Sequence, residues 1–185
     1  MSSKTSQVKP AILPWALIGA ACLGSFAATS SGTTRAPFLL DMARDLDVAM
    51  PLVANLVSLT ATAWGITSAL GGWLSDLIGR RPLLIASPFA LALAMVAQAW
   101  AGSFFWVALW AAVGGGCAGA FSGVIFAEVS GRVPDSQRGR ALGWVMSGQS
   151  LTLVVGVPMA AAVGSIIGWR GWLVCVGGLA LAACL

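Results

Sequence analysis

The chain has 185 residues, of which 58% are hydrophobic and only 9% charged, and its formal net charge is +4. A water-soluble domain carries roughly 25% charged residues, so this composition excludes a soluble surface and reads as an integral membrane protein. The positive balance is not a nucleic-acid footprint, because the basic residues are divided among short loops rather than gathered on one face.

The apolar runs mostly lack strict alternation and are about 20 residues long, which predicts an all-α membrane protein. Residues 1–11 read as a polar tail and 12–185 as one bundle of six transmembrane helices. The expected spans are about 12–34, 51–73, 82–101, 104–129, 141–167 and 169–185. The sixth stops short, which would leave a terminal carboxylate inside the bilayer. The chain therefore reads as an incomplete half. Lys4 and Lys9 give a positive start, but the first apolar run is too long for a signal peptide and no Ala-x-Ala site follows. Gly19-Ala20-Ala21-Cys22 lacks the aliphatic residue of a lipoprotein site.

Lys4, Lys9, Arg80, Arg81, Arg132, Arg138 and Arg140 fall on one side of the predicted topology. Arg35, Arg44 and Arg170 fall on the other, offset by Asp41, Asp45 and Asp47. By the positive-inside rule the amino terminus is cytoplasmic. Trp15, Trp73, Trp100, Trp106, Trp144, Trp169 and Trp172 lie near expected span ends, where indole rings favour the interface. Trp64 and Trp110 lie deeper.

The chain has no His, and its Cys residues (Cys22, Cys117, Cys175 and Cys184) sit in apolar segments without metal-ligand spacing. No nucleophile–base pair, phosphate-binding loop or zinc pattern is present. Neither an enzyme nor an ATP-driven pump is expected, and no metal or cofactor. Gly115-x3-Gly119-x3-Gly123 puts glycines on one helix face, where a neighbouring backbone can approach closely. Gly114-x-Gly116-x2-Gly119 matches a dinucleotide fingerprint only by accident, since no strand precedes it.

Between spans two and three, residues 72–82 read Gly-Trp-Leu-Ser-Asp-Leu-Ile-Gly-Arg-Arg-Pro. Gly72-x3-Asp76-x2-Gly79-Arg80-Arg81 resembles the loop between the second and third helices of the major facilitator superfamily of transporters. Glu128 to Arg140 is similar to that family's loop between helices four and five. Gly148, Gly156, Pro158 and Gly164 resemble its antiporter motif, with Val157 intervening where Pro usually follows Gly. Gly168-Trp169-Arg170-Gly171-Trp172 is similar to an element of drug- and sugar-efflux members. Trp110-x3-Gly114-x-Gly116-x-Ala118 keeps the small residues of a fourth-helix pattern and replaces the Arg on which a proton relay would centre.

The resemblance covers about Leu13 to Leu185. It implies the amino-terminal half of a major-facilitator fold, built of two inverted three-helix repeats. It further implies a secondary transporter of small organic solutes such as drugs or sugars, working by alternating access and proton-coupled efflux in a bacterial inner membrane. The partners are then solute, protons, lipid bilayer, and a missing carboxy-terminal half or a second copy. Alternatives are a natural six-helix half-transporter acting as a dimer, or a non-transporting membrane scaffold or sensor.

By the same resemblance, Gly72, Asp76, Gly79, Arg80 and Arg81 form a conformational switch. Asp76 is then a latch at a helix amino terminus, and otherwise a solvated turn charge. Arg80 pairs with acids such as Glu128, in a second-loop cluster with Arg138 and Arg140. Arg35 reads either as an interfacial snorkelling side chain or as a solute-binding group, with Asp41 and Asp45 as possible partners. Asn55 and Gln149 are costly to leave facing lipid. With Arg35, Trp64 and Trp110 they form the candidate substrate cavity. Thr60, Gln98, Thr152 and the other embedded polar side chains read as structural. Pro88 and Pro158 are expected kink sites.

Overall fold

The computed structural model describes residues 15–183. The polar tail with Lys4 and Lys9, and Cys184, lie outside the described residues. Those described are helical throughout, with no strand. In chain order they form α1 (Trp15–Thr33), a 3₁₀ turn (Ala36–Phe38), α2 (Leu39–Asp45), α3 (Met50–Ile78) and α4 (Arg80–Trp100). Then come α5 (Phe104–Arg132), α6 (Asp135–Leu151), a π turn (Thr152–Gly156) and α7 (Val157–Ala182).

Among the described residues, the stretches long and apolar enough to cross a membrane number four: Met50–Ile78, Arg80–Trp100, Phe104–Arg132 and the continuous Asp135–Ala182. The count falls below six for two reasons. Trp15–Thr33 is long enough at 19 residues but is diluted by Ser, Thr and Gly. Asp135–Ala182 runs for 48 residues, more than twice the roughly 20 that one crossing needs. It is broken at Gly168, where φ is 70° and ψ 171°.

α3 and α5 outrun the expected spans. At about 1.5 Å per residue, the 29 residues of α3 reach well beyond a hydrocarbon core of ~30 Å. The polar turn expected over 72–82 is consequently almost absent. Gly72 and Asp76 are still in α3, and Arg80 and Arg81 already begin α4. Gly79 alone reverses the chain, at φ 95°, a backbone conformation open to glycine and costly for other residues. Pro82 sits in the first turn of α4, where its missing N–H leaves no bond unmade.

α5 is the central post. Val107, Ala111, Ala118, Val124 and Val129 are fully enclosed, and the helix packs along α3, α4 and α1. The glycine stripe explains the close approach of α3. A Cβ at Gly115 would stand 2.5 Å from the Thr60 carbonyl oxygen, and one at Gly123 2.7 Å from that of Ser68. A Cβ at Gly119 would strike the Trp64 carbonyl and the Thr67 hydroxyl. Lipid offers little hydrophobic drive between helices, so this contact carries the association. Pro88 lies buried within α4 without dividing it. Pro158 follows the π turn, whose wider register accommodates a residue that has no N–H and crowds the carbonyl four positions back.

Candidate functional site

The bundle has two ends with opposite chemistry. At the Gly79 end, the Glu128 carboxylate is 7% exposed and lies between two arginines. Arg132, one turn later on α5, pairs with it directly, and Arg80 Nη1 approaches to 3.8 Å. Arg80 also donates to the Ala127 carbonyl at 3.4 Å. The α4 start is thereby tied to the α5 end. Arg138 stays outside this group. It pairs with Asp135 at 2.6 Å and donates to the Ser130 carbonyl. Arg140 and Arg81 are exposed. The expected cluster of Glu128, Arg138 and Arg140 is thus replaced by Glu128, Arg132 and Arg80. An i,i+4 neighbour on the same helix reaches the acid without crossing a turn.

Asp76 is exposed and makes no hydrogen bond or ion pair among the described residues. It lies in the last turn of α3, the negative end of that helix, so its own dipole gives none of the stabilisation expected at an amino terminus.

The opposite end gathers the first long connection, the α4–α5 turn and the Gly168 break. Asp45 accepts from Arg170 Nη1 at 2.6 Å and from Trp169 Nε1 at 2.9 Å. The Arg170 guanidinium lies 4.2 Å from the Trp169 ring centre and also donates to the Ala101 carbonyl. Trp172 Nε1 donates to Thr34 Oγ1 at 2.8 Å. Trp169 and Trp172 are therefore buried rather than interfacial. The break at Gly168 turns them inward, and each finds an acceptor there. Trp15, Trp73, Trp100, Trp106 and Trp144 are exposed.

Next to Thr34 stands Arg35, only 2% exposed. Its partners are not Asp41 or Asp45. Nη1 donates to Thr60 Oγ1 of α3 at 2.7 Å, and Nη2 to Gln98 Oε1 of α4 at 3.1 Å. Gln98 in turn donates to the Val107 carbonyl of α5 at 3.1 Å. Arg35 Nε has no partner, and no carboxylate pairs with this guanidinium among the described residues. An interfacial snorkelling position is excluded by this burial. The tight connection from α1 to the 3₁₀ turn aims the side chain inward between α3 and α4.

The candidate cavity group is only partly assembled. Trp64 lines a cleft of about 120 Å³ between α1 and α3, with Thr29, Gly32, Val57 and Thr60. Thr60 joins this cleft to Arg35. Asn55 is exposed, and Trp110 and Gln149 are half-buried, with none of them on the cleft wall. The residues missed from the sequence are Thr60 and Gln98. An amide inside an apolar helix is the available signal, but the sequence reading favours Asn55 and Gln149 and treats Gln98 as structural. In the antiporter-like stretch, a Cβ at Gly148 would strike the Cys22 carbonyl, and one at Gly164 the Phe38 ring. These glycines let α6 and α7 close on the first helix and its connection. Gly156 ends the π turn beside Phe26. A larger apolar cavity of about 490 Å³ opens between α1 and the α6–π stretch, lined by Trp15, Cys22, Phe26, Trp144 and Leu151.

Residues 21–185 match the family model described as Major Facilitator Superfamily. The chain is 32% identical over 167 residues to an uncharacterized MFS-type transporter of Bacillus subtilis, covering 90% of this chain and 40% of that protein. It is 34% identical over 145 residues to a chloramphenicol efflux pump of Mycobacterium tuberculosis, covering 78% of this chain and 35% of the pump. The fold is similar to the inward-open xylose transporter XylE of E. coli, with a TM-score of 0.77 at 19% identity over 92% of this chain and 46% of that one. The chain thus spans about two fifths of the length of the curated relatives it matches.

Proposed function

Since the chain belongs to the major facilitator superfamily, we propose that it is the amino-terminal half of a secondary transporter that exports small organic solutes by proton-coupled alternating access. The family match over residues 21–185 carries this reading. The named relatives support efflux as the direction and drug-like solutes as cargo. Six spans are part of the proposal: 19 residues suffice for α1 with flanking snorkelling, and the Gly168 break divides Asp135–Ala182 into two crossings. The amino terminus and the Gly79 end then face the cytoplasm of a bacterial inner membrane. A second six-helix half, carried downstream in the gene or supplied by a second copy, completes the solute path.

In this reading Arg80 and Glu128 hold one access state, and Asp76, exposed and unpaired within this half, latches onto the other half. Small shifts in such contacts move a two-state equilibrium. This half supplies no carboxylate in the middle of a span, so proton carriage falls to the other half. The test is accumulation of radiolabelled chloramphenicol in cells expressing the chain, alone and in its longest reading frame, with and without a protonophore. Lower accumulation that the protonophore abolishes is expected. Accumulation equal to vector controls in both forms, repeated for a panel of drugs and sugars, overturns the proposal.

A further inference from the structure

We propose that the cavity between α1 and the α6–π stretch is a binding site for uncharged aromatic solutes, with its mouth at the Gly79 end of the bundle. This deepens the transporter reading and rests on it for calling the occupant cargo. The binding chemistry stands apart from it.

The cavity has the size and depth of a small-molecule site. At about 490 Å³ it falls within the usual range for such sites. The α1–α3 cleft, at about 120 Å³, falls below it. Trp15 to Phe26 on α1 and Trp144 to Val155 on the facing stretch both cover eleven positions, or ~16 Å of helix rise. That is about half of a ~30 Å hydrocarbon core. A helix of the same length, ~10–12 Å across with its side chains, would need more than twice this volume, so the space suits a small molecule.

The deep end is pinned. Thr152 in the π turn donates to the Phe26 carbonyl at 3.2 Å. A Cβ at Gly148 would strike the Cys22 carbonyl, so the two backbones touch there. At the shallow end the helices meet through the edge contact of Trp15 with Trp144, their ring centres 6.2 Å apart. Asp135 opens α6 just after Arg132 closes α5, which puts this end beside Arg80 and Gly79. Gly19 leaves the space open: a Cβ there would meet no atom within 4 Å.

The walls select the occupant. Every lining side chain is apolar, aromatic or a thiol, and none is charged. An ion would enter without a counter-charge, at steep cost. Rings stand at both ends, Trp15 and Trp144 at the mouth and Phe26 below, where edge and face contacts with a ligand ring add to simple area burial. The two indole N–H groups make no hydrogen bond among the described residues. They are donors at the mouth for a carbonyl or ether oxygen of the solute. A lipid acyl chain would use neither the rings nor these donors.

The probes are radiolabelled benzophenone and 4-benzoylbenzoate, which share two rings and a photoreactive carbonyl and differ by one carboxylate. The purified full chain is photolabelled in detergent and in phospholipid nanodiscs, and the labelled peptides are identified by mass spectrometry. Benzophenone is expected to label residues 15–26 and 144–155 saturably, whereas labelling at exposed positions such as Ile166 rises without saturation. The carboxylate is expected to label the cavity at least roughly tenfold less at equal concentration. Gly19→Leu fills the space and abolishes saturable labelling. It replaces glycine with a better helix former, so the fold should hold. Equal labelling by the two probes, or saturable labelling that survives Gly19→Leu, overturns the inference. So does labelling seen in detergent and lost in nanodiscs, which would mean that a lipid chain holds the cavity. Should Gly19→Leu fail to fold, unchanged labelling in Trp144→Ala does the same. Photolabelling is read without flux. Saturable labelling with no transport counts against the transporter reading alone, and transport without cavity labelling counts against this inference alone.

Discussion

The two ends of the bundle hold their arginines in opposite ways, and the contrast separates motion from rigidity. At the Gly79 end, Arg80 and Arg132 are half exposed around one carboxylate. Such pairs are screened by salt and worth little each, so they break and reform at small cost. At the other end Arg35 is enclosed and held by neutral oxygens from α3 and α4. Removing a partner there strands a buried charge, which is expensive. One end is therefore suited to a reversible clasp, and the other to a fixed site.

The widest split between the ends is expected at Asp76. Asp76→Asn is predicted to lower transport by roughly tenfold or more, on the scale of a conformational coupling of about 1–3 kcal/mol. Its melting temperature in detergent should not change, since the side chain is exposed and unpaired among the described residues. Full transport in that variant would remove the latch. Gln98→Leu reverses the pattern. It strands Arg35 Nη2, and should cost about 1–3 kcal/mol of stability. Thermal unfolding of the purified chain reads this loss. It should be the same at low and high salt, because the site is closed to ions.

The same division explains what the amino-acid sequence made legible. Apolar runs and the glycine stripe announced the helices and the α3–α5 contact, because both depend on local composition and spacing. Gly79-Arg80-Arg81 announced a turn, but its length was overestimated. Polar residues suggest loop, whereas Asp76 and Arg80 project from two helices that meet at Gly79. Arg35 was visible as an uncomfortable charge. Its partners were not, since Thr60 and Gln98 come from helices 25 and 63 positions away. The carboxylates nearest in sequence, Asp41 and Asp45, are not its partners. Asp45 is drawn instead to Arg170, which arrives from the far side of the Gly168 break. Trp169 and Trp172 went inward for the same reason, a backbone turn that residue type alone did not reveal.

The smaller predictions set ion pair against ion pair. Glu128→Gln removes the shared carboxylate of Arg80 and Arg132, and is expected to cost about 1 kcal/mol at low ionic strength. Asp45→Asn should cost less, about 0.5 kcal/mol, although its pair with Arg170 is shorter than that of Glu128 with Arg80. Asp45 and Arg170 are both nearly half exposed, at 49% and 40% of their side chains, and the Trp169 indole can still donate to the amide oxygen that the substitution leaves in place. Glu128, at 10%, has lost most of its water, and the single amide oxygen of Gln replaces only one of the two carboxylate oxygens that face Arg80 and Arg132. Melting curves of both variants against the parent, at low and high salt, order the two. Burial of the shared acid sets the order if Glu128→Gln melts lower, and raising the salt should shrink the Asp45→Asn difference toward zero first. The reverse order would mean that the 2.6 Å contact at the Arg170 end is the stronger fastening, and that the division of labour between the ends runs the other way.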